Sequence, residues 1–351
     1  MKKGTLALLS LFITLTMVAQ DSAYYQSAFN LSGEELKFEL NQIIRNHTEF
    51  SYTSSSTDVW DILKETDRDT ANADNVILIY SGRSVNADQE YNNGAGWNRE
   101  HVWAKSRGDF GTSRGAGTDV HHLRACDISV NSTRNNRNFD TCITCVDVID
   151  AGFETGSKRD ANLWTFEPRD EVKGDVARMI FYMAIRYEGE GDEPDLELTD
   201  ILLDNTDQSP LHAVYTTLLQ WNRIDPVSDW ERNRNDIIYN DYQHNRNPFI
   251  DFPELAEYLW GDSIGMVWMP EVIDGIEEAF KTTVGVYPNP TTDNVTIDGV
   301  FRRVIVYNSH GQILKISDQP IVKLACYPAG MYFIRVISEN GDTAVFPISK
   351  N

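Results

Sequence analysis

The spacing of apolar residues changes character near Lys281, and no other feature constrains the fold as much. Upstream, apolar positions recur near a helical period. Leu36, Phe38, Leu40, Ile43 and Ile44 do so within residues 33–47, with Ser32 placed to cap the helix. The same spacing predicts helices at 59–65, 175–187, 210–221, 236–244 and 253–260, and a compact strand at 76–80 ending on Ser81-Gly82. The 175–187 segment is too dense in apolar and aromatic residues for a surface helix, so it is expected at the centre of the core. Downstream there is no Trp, and apolar residues alternate at 294–297, 303–307 and 331–336. Tyr287-Pro288-Asn289-Pro290 opens that region, and His310-Gly311 and Asn340-Gly341 are turn signals within it. The expectation is an α+β chain with a mainly helical domain over 20–275 and a linker at 276–284. A small all-β sandwich follows over 285–351.

Residues 1–19 read as a signal peptide, because Lys2 and Lys3 precede an apolar run from Leu6 to Val18 and then Ala19-Gln20. That run is short and broken by Ser10, Thr14 and Thr16, and no later stretch suits a bilayer, so export without stable membrane insertion is expected. The net charge of −22 excludes general adhesion to nucleic acid, since a polyanion is repelled by a surface of its own sign. Any such site must be local. Between Trp97 and Asp140, seven Lys and Arg face five Asp and Glu, a net of +2, and three of the seven His lie there. Of the four Cys, Cys126, Cys142 and Cys145 are close in sequence while Cys326 is remote, and a bridge from Cys126 to one of the CxxC pair is expected. The competing reading of Cys142 and Cys145, as a redox dithiol or half a zinc site, lacks a thioredoxin-like context or a second CxxC.

The densest polar cluster runs Trp97-Asn98-Arg99-Glu100-His101-Val102-Trp103, then Asp119-Val120-His121-His122-Leu123, then Ser129-Val130-Asn131-Ser132-Thr133-Arg134. Adjacent Glu100 and His101 on a strand would face opposite sides, the carboxylate toward a metal and the imidazole toward a water. An oxygen-preferring ion such as Mg²⁺ keeps several waters and needs few protein ligands, so Glu100 and the Asn131 amide oxygen suffice. Neutral histidine suits a general base near neutral pH, and metal and arginine suit the charge that develops on a phosphate. His121-His122 equally fits a structural hydrogen-bonding pair, and Trp97 and Trp103 fit the core.

WNREHVWAKS, TDVHHLRACDISVNSTRNNRNF, KGDVARMIFYMAIRY and QHNRNPFIDFPELAEYLWG, spread in order over about residues 25 to 265, resemble the endonuclease I family of bacterial periplasmic and secreted nucleases. That resemblance implies a ββα-metal active-site motif that cuts DNA, and often RNA, without strong sequence preference. It makes His101 the general base and Glu100 and Asn131 the ligands of Mg²⁺, with Ca²⁺ or Mn²⁺ as alternatives. It also implies a phosphate-contacting arginine, for which Arg107, Arg114 and Arg134 are the candidates. Ala104 and Ala125-Cys126 depart from the family pattern without touching a proposed ligand.

VGVYPNPTTDNVTI and YPAGMYFIRV resemble the type IX secretion sorting domain, which implies that secretion machinery as a partner, delivery to the cell surface or medium, and removal of the domain. A carbohydrate-binding sandwich has the same strand pattern. The function expected is a secreted, nonspecific, metal-dependent endonuclease yielding 5′-phosphate products. The competing class is a secreted nucleic-acid or surface binding module with an inactive nuclease-like domain.

Overall fold

A computed structural model describes residues 23–270, 284–308, 313–337 and 343–351. The expected signal segment, nearly all of the expected linker and both expected turn pairs lie outside the described residues. The chain divides into two compact units, Tyr25–Pro270 and one that includes Glu271–Asn351.

In the first unit α1 (Gly33–Ile44) buries Leu36, Leu40 and Ile44 on one face. Helix α2 (Val59–Thr66) starts at a capping box, in which Asp58 accepts from the Trp60 and Asp61 amides and Asp61 reaches back to the Asp58 amide. A three-stranded sheet β1 (Arg68–Asp69), β2 (Asn72–Ile77) and β3 (Ser84–Asn86) follows. Strand β4 (Trp97–His101) pairs antiparallel with β5 (Leu123–Asp127), which runs straight into α3 (Ile128–Arg134). A four-stranded sheet comes next, built from β6 (Asn138–Phe139), β7 (Val146–Asp150), β8 (Phe153–Asp160) and β9 (Thr165–Glu167) in the order β6-β9-β8-β7. Helix α4 (Lys173–Arg186) is buried along its whole length, as its composition predicts. Strands β10 (Glu197–Thr199) and β11 (Leu211–Val214) pair in parallel, and helices α5 (Tyr215–Ile224), α6 (Asp229–Ile237), α7 (Pro248–Asp251) and α8 (Leu255–Trp260) complete the unit.

Helix and strand are nearly balanced over the whole chain at 28% and 29%, and the first unit, expected to be mainly helical, also carries the strands β1 to β11. Most of the unexpected strands are two to five residues long, too short to show a period, and they exist through pairing with another strand. The segment predicted as helix from residue 210 is strand to Val214 and becomes α5 only at Tyr215, since Leu211 and His212 pair with Glu197 and Leu198. Likewise β2 ends at Ile77. Leu78, Ile79 and Tyr80 continue as buried chain, with the Ile79 amide bonded to the Ala125 carbonyl of β5.

The second unit has two antiparallel sheets, β12 (Gly285–Tyr287), β13 (Asn294–Asp298) and β16 (Ile321–Lys323) in one, and β14 (Arg303–Asn308), β15 (Ile313–Ser317), β17 (Gly330–Ile337) and β18 (Thr343–Lys350) in the other. Val295, Ile297 and Val322 from the first and Val304, Val306, Ile334 and Val336 from the second share one core. Among the described residues, no helix is long and apolar enough to cross a membrane.

Candidate metal and hydrolytic site

Two buried ionic anchors hold the strand pair that carries the site. Asp67 accepts from Arg124 Nε at 3.1 Å, from Arg234 Nε at 2.9 Å and from the Ala125 amide at 2.6 Å, which pins β5. Asp119 accepts from the Tyr182 and Tyr187 hydroxyls at 2.8 and 3.0 Å and from Gln243 Nε2 at 3.0 Å, which pins the loop between β4 and β5. With these ends fixed, register places Glu100 opposite Arg124 and His101 opposite Leu123.

Glu100 is 2% exposed. Its Oε1 accepts from the Tyr80 hydroxyl at 2.8 Å and lies 3.4 Å from Arg134 Nη1. Burial raises its pKa to about 7, against the opposing effects of Arg134 and of the Tyr80 bond. The desolvation effect therefore outweighs the available positive charge. A divalent cation at the other oxygen would supply what is lacking, so the carboxylate suits a metal.

Asn131 projects from α3 across β4. Its Nδ2 donates to Asn98 Oδ1 at 3.0 Å and to the Arg99 carbonyl at 3.3 Å. Both described contacts use the nitrogen, which fixes the amide orientation and turns Oδ1 away from them, where it could serve a cation. Arg134, one turn further along α3, reaches Glu100 and the His101 carbonyl, so the helix face bearing Asn131 lies along the strand bearing Glu100.

His101 Nε2 lies 3.0 Å from the Gly117 carbonyl oxygen. A carbonyl only accepts, so Nε2 carries the hydrogen and Nδ1 carries the lone pair. Burial, followed by the nearby His122, holds the pKa well below the ordinary histidine value, and the ring is neutral. The Tyr52 ring stacks on it at 5.6 Å, and the other partner of Tyr52 is the Arg99 guanidinium at 3.4 Å, itself over Trp60 at 4.1 Å. Gly117 has no room for a side chain, because a Cβ there would meet the Ser113 carbonyl oxygen at 2.5 Å.

The three candidate arginines occupy unlike places. Arg107 is fully buried and donates to the Asp207, Asn136, Leu203 and Asp204 carbonyls. Arg134 is 1% exposed and is bonded to the His101, Val102 and Asn135 carbonyls and to His212. Arg114 is exposed, three residues from Gly117, and donates to Ser51 Oγ at 3.0 Å next to Tyr52. His121 and His122 are buried structural residues bonded to Asn245 and to the Ala116 carbonyl, and burial lowers both to about 4. Trp97 and Trp103 are core.

Sequence reasoning missed Tyr80, Asn98, Gly117 and Tyr52, which orient the site. Asn98 lies inside the WNREHVWAKS motif without a role there, Tyr80 ends an apolar run read as strand, and Tyr52 and Gly117 belong to no quoted motif. The cysteine expectation is also corrected. Cys142 is bonded to Cys145, with Cα atoms 5.5 Å apart, while Cys126 is buried and free and Cys326 is exposed and free. Cys126 sits mid-strand opposite Asn98, where pairing with β4 fixes it in the core. Glu167 lies within 4.8 Å of both bonded sulfurs, but sulfurs joined to each other offer no thiolate pair to zinc.

A buried carboxylate, an oriented amide and a neutral imidazole lie on one strand–strand–helix unit, and similarity to known proteins places the chain among exported nucleases. Within that class it belongs to the endonuclease I family, whose profile, described as Endonuclease I, matches residues 32–254. Residues 285–348 match the Secretion system C-terminal sorting domain, which directs secretion or display at the cell surface. The chain is 50% identical over 257 residues to the "Extracellular ribonuclease" of Bacillus subtilis (strain 168), covering 73% of this chain and 85% of that protein. It is 49% identical over 250 residues to the "Extracellular ribonuclease" of Bacillus amyloliquefaciens, covering 70% and 81%. Divalent-metal dependence is general in the family.

Proposed function

We propose that this chain hydrolyses both RNA and DNA without strong sequence preference, with His101 as general base and Glu100 and Asn131 as the ligands of a Mg²⁺ ion. The observation that carries this reading is the bond from His101 Nε2 to the Gly117 carbonyl, which leaves a neutral Nδ1 to take a proton. His101 Nδ1 removes a proton from water as the oxygen attacks phosphorus, the bond to the 3′ oxygen breaks, that oxygen leaves as a 3′-hydroxyl after taking a proton from solvent, and the phosphate stays on the 5′ end of the other fragment. When bound, the ion would stabilise charge on the phosphate and on the leaving oxygen. Asn98 holds the Asn131 amide, and Tyr80 and Arg134 hold the Glu100 carboxylate, so both ligands are oriented before the ion arrives. The strand–strand–helix unit is read as a ββα-metal motif. RNA as a substrate is favoured by the names of the Bacillus relatives. The expected products form by attack of water, not of the 2′-hydroxyl.

Plasmid DNA and a structured RNA are both expected to be cut in Mg²⁺, to survive in EDTA, and to yield 5′-phosphate ends detectable by ligation. Absence of EDTA-sensitive cleavage of either polymer overturns the reading. Cyclic phosphate ends on RNA overturn the water attack.

The phosphate contact is assigned to Arg114, because its guanidinium is exposed beside the loop that holds His101. Arg107 and Arg134 are committed to buried carbonyls. Arg114→Gln is expected to lower kcat/KM by roughly 10² and leave folding intact, the size seen when one donor to developing charge is lost. A variant within about twofold of the parent removes Arg114 from this role.

A further inference from the structure

The chain just beyond α3 gathers positive charge that the hydrolytic step leaves unused. Arg137 is 6% exposed, yet among the described residues it has no carboxylate partner. Its Nη1 donates to the Thr133 carbonyl, its guanidinium lies 3.8 Å from the centre of the Trp164 ring, and its Nε is buried without a hydrogen-bond partner. After burial, the groups that act on it are Arg159 and Arg134, both of its own sign, and together they lower its pKa to about 10. Arg159, half-buried on β8, has no ion pair among the described contacts.

Buried Arg107 and Arg134 share the unpartnered Nε, but they and the other buried arginines of the unit each have a carboxylate within ion-pair distance. Arg178 has Glu231, Arg186 has Glu193, Arg234 has Asp67 and Arg246 has Asp251. A desolvated cation next to a second cation is unfavourable unless an anion joins them. Strand pairing brings the two together. Asn138 pairs with Thr165, and Arg159 pairs with Phe166, so Arg137, Trp164 and Arg159 meet where β6, β9 and β8 run side by side. Trp164 Nε1 donates to Asn136 Oδ1 at 2.8 Å, which fixes the ring under the guanidinium.

We infer that Arg137 and Arg159 form a subsite for a non-scissile phosphate of the bound strand, the anion that completes this cluster. The inference rests on reading Glu100, His101 and Asn131 as the nuclease centre. Arg137 is tied to Thr133, two residues from Asn131 on the same helix and about 3 Å further along its axis, so the phosphate held belongs to a nucleotide near the cut. A guanidinium presents paired N–H groups that match phosphate oxygens. In a chain of net charge −22 such a subsite also supplies the local attraction that the whole surface lacks.

The test is binding of a fluorescent single-stranded oligonucleotide of about ten nucleotides, measured by anisotropy in EDTA between roughly 50 and 200 mM KCl. Plotting log affinity against log salt, the slope is expected to shrink by about 0.7 for Arg137→Gln, by the same for Arg159→Gln, and by about twice that for the double variant. Arg137→Lys retains the slope, which a purely structural role does not require. Unchanged slopes in both Gln variants overturn the subsite. If Arg137→Gln fails to fold by near-ultraviolet circular dichroism, half-buried Arg159→Gln decides alone. Digestion of the same oligonucleotide in Mg²⁺ separates the two readings. A parent that cleaves while the slopes stay fixed loses only the subsite, and a parent that binds with shifted slopes in the variants but never cleaves loses only the nuclease mechanism.

Discussion

His101→Ala is expected to bind Mg²⁺ as the parent does and to cleave nucleic acid roughly 10²–10⁴ times more slowly, the range that loss of a positioned general base produces. The selectivity follows from where the ring is attached. Its hydrogen bond goes to the Gly117 carbonyl and its stacking partner is Tyr52, whereas the proposed metal ligands are held by Tyr80, Arg134 and Asn98. Removing the imidazole leaves that second set in place. Single-turnover cleavage measures the first effect and the rise in Tm on adding Mg²⁺ measures the second. Near-parental cleavage overturns the base assignment, and loss of the Mg²⁺-dependent Tm rise overturns the separation of the two roles.

Glu100→Gln is expected to do something less usual, abolishing activity while making the metal-free protein more stable at pH 8. The loss of activity should be on the order of 10³-fold or more, since a metal contributes several kcal/mol to charge stabilisation. The gain in stability comes from the carboxylate itself. Burial lifts its pKa from 4.5 to about 7, so between those values the folded, metal-free protein keeps a proton that the unfolded chain has released. Stability of the metal-free parent therefore falls as pH rises through that window, by about 3 kcal/mol when the group is fully ionised. The glutamine variant lacks this slope. In EDTA the two proteins should match in Tm near pH 5 and diverge in favour of the variant at pH 8. In Mg²⁺ the order reverses at pH 8, because the cation binds only the ionised parent. A parent whose Tm in EDTA exceeds that of the variant at pH 8 would mean that Arg134 and Tyr80 stabilise the ionised carboxylate more than burial opposes it.

The helices with strong periodicity, such as α1, α2 and α4, were legible because one apolar face or an entirely apolar segment shows in the spacing alone. The strands from Asn138 to Glu167 were not, because two- to eight-residue strands rich in polar residues owe their existence to neighbours across a sheet. The disulfide misled for a related reason. Three nearby cysteines look interchangeable until one of them, Cys126, is fixed in a buried strand.

By itself the sequence showed the change in apolar spacing near Lys281, the local concentration of positive charge in an acidic chain, and the residue types that a metal and a histidine base require. These are properties of composition and spacing. Only the tertiary structure decided which nitrogen of His101 keeps its hydrogen, how the Asn131 amide is turned, and how unlike the surroundings of Arg107, Arg114, Arg134 and Arg137 are. The physical reason is that each of those outcomes is set by desolvation and by particular partners. Some are remote in sequence, as when Arg107 meets carbonyls of Leu203 and Asp204, and others sit in the loop that joins two paired strands or lie one helical turn away, where spacing alone does not say which group is turned inward.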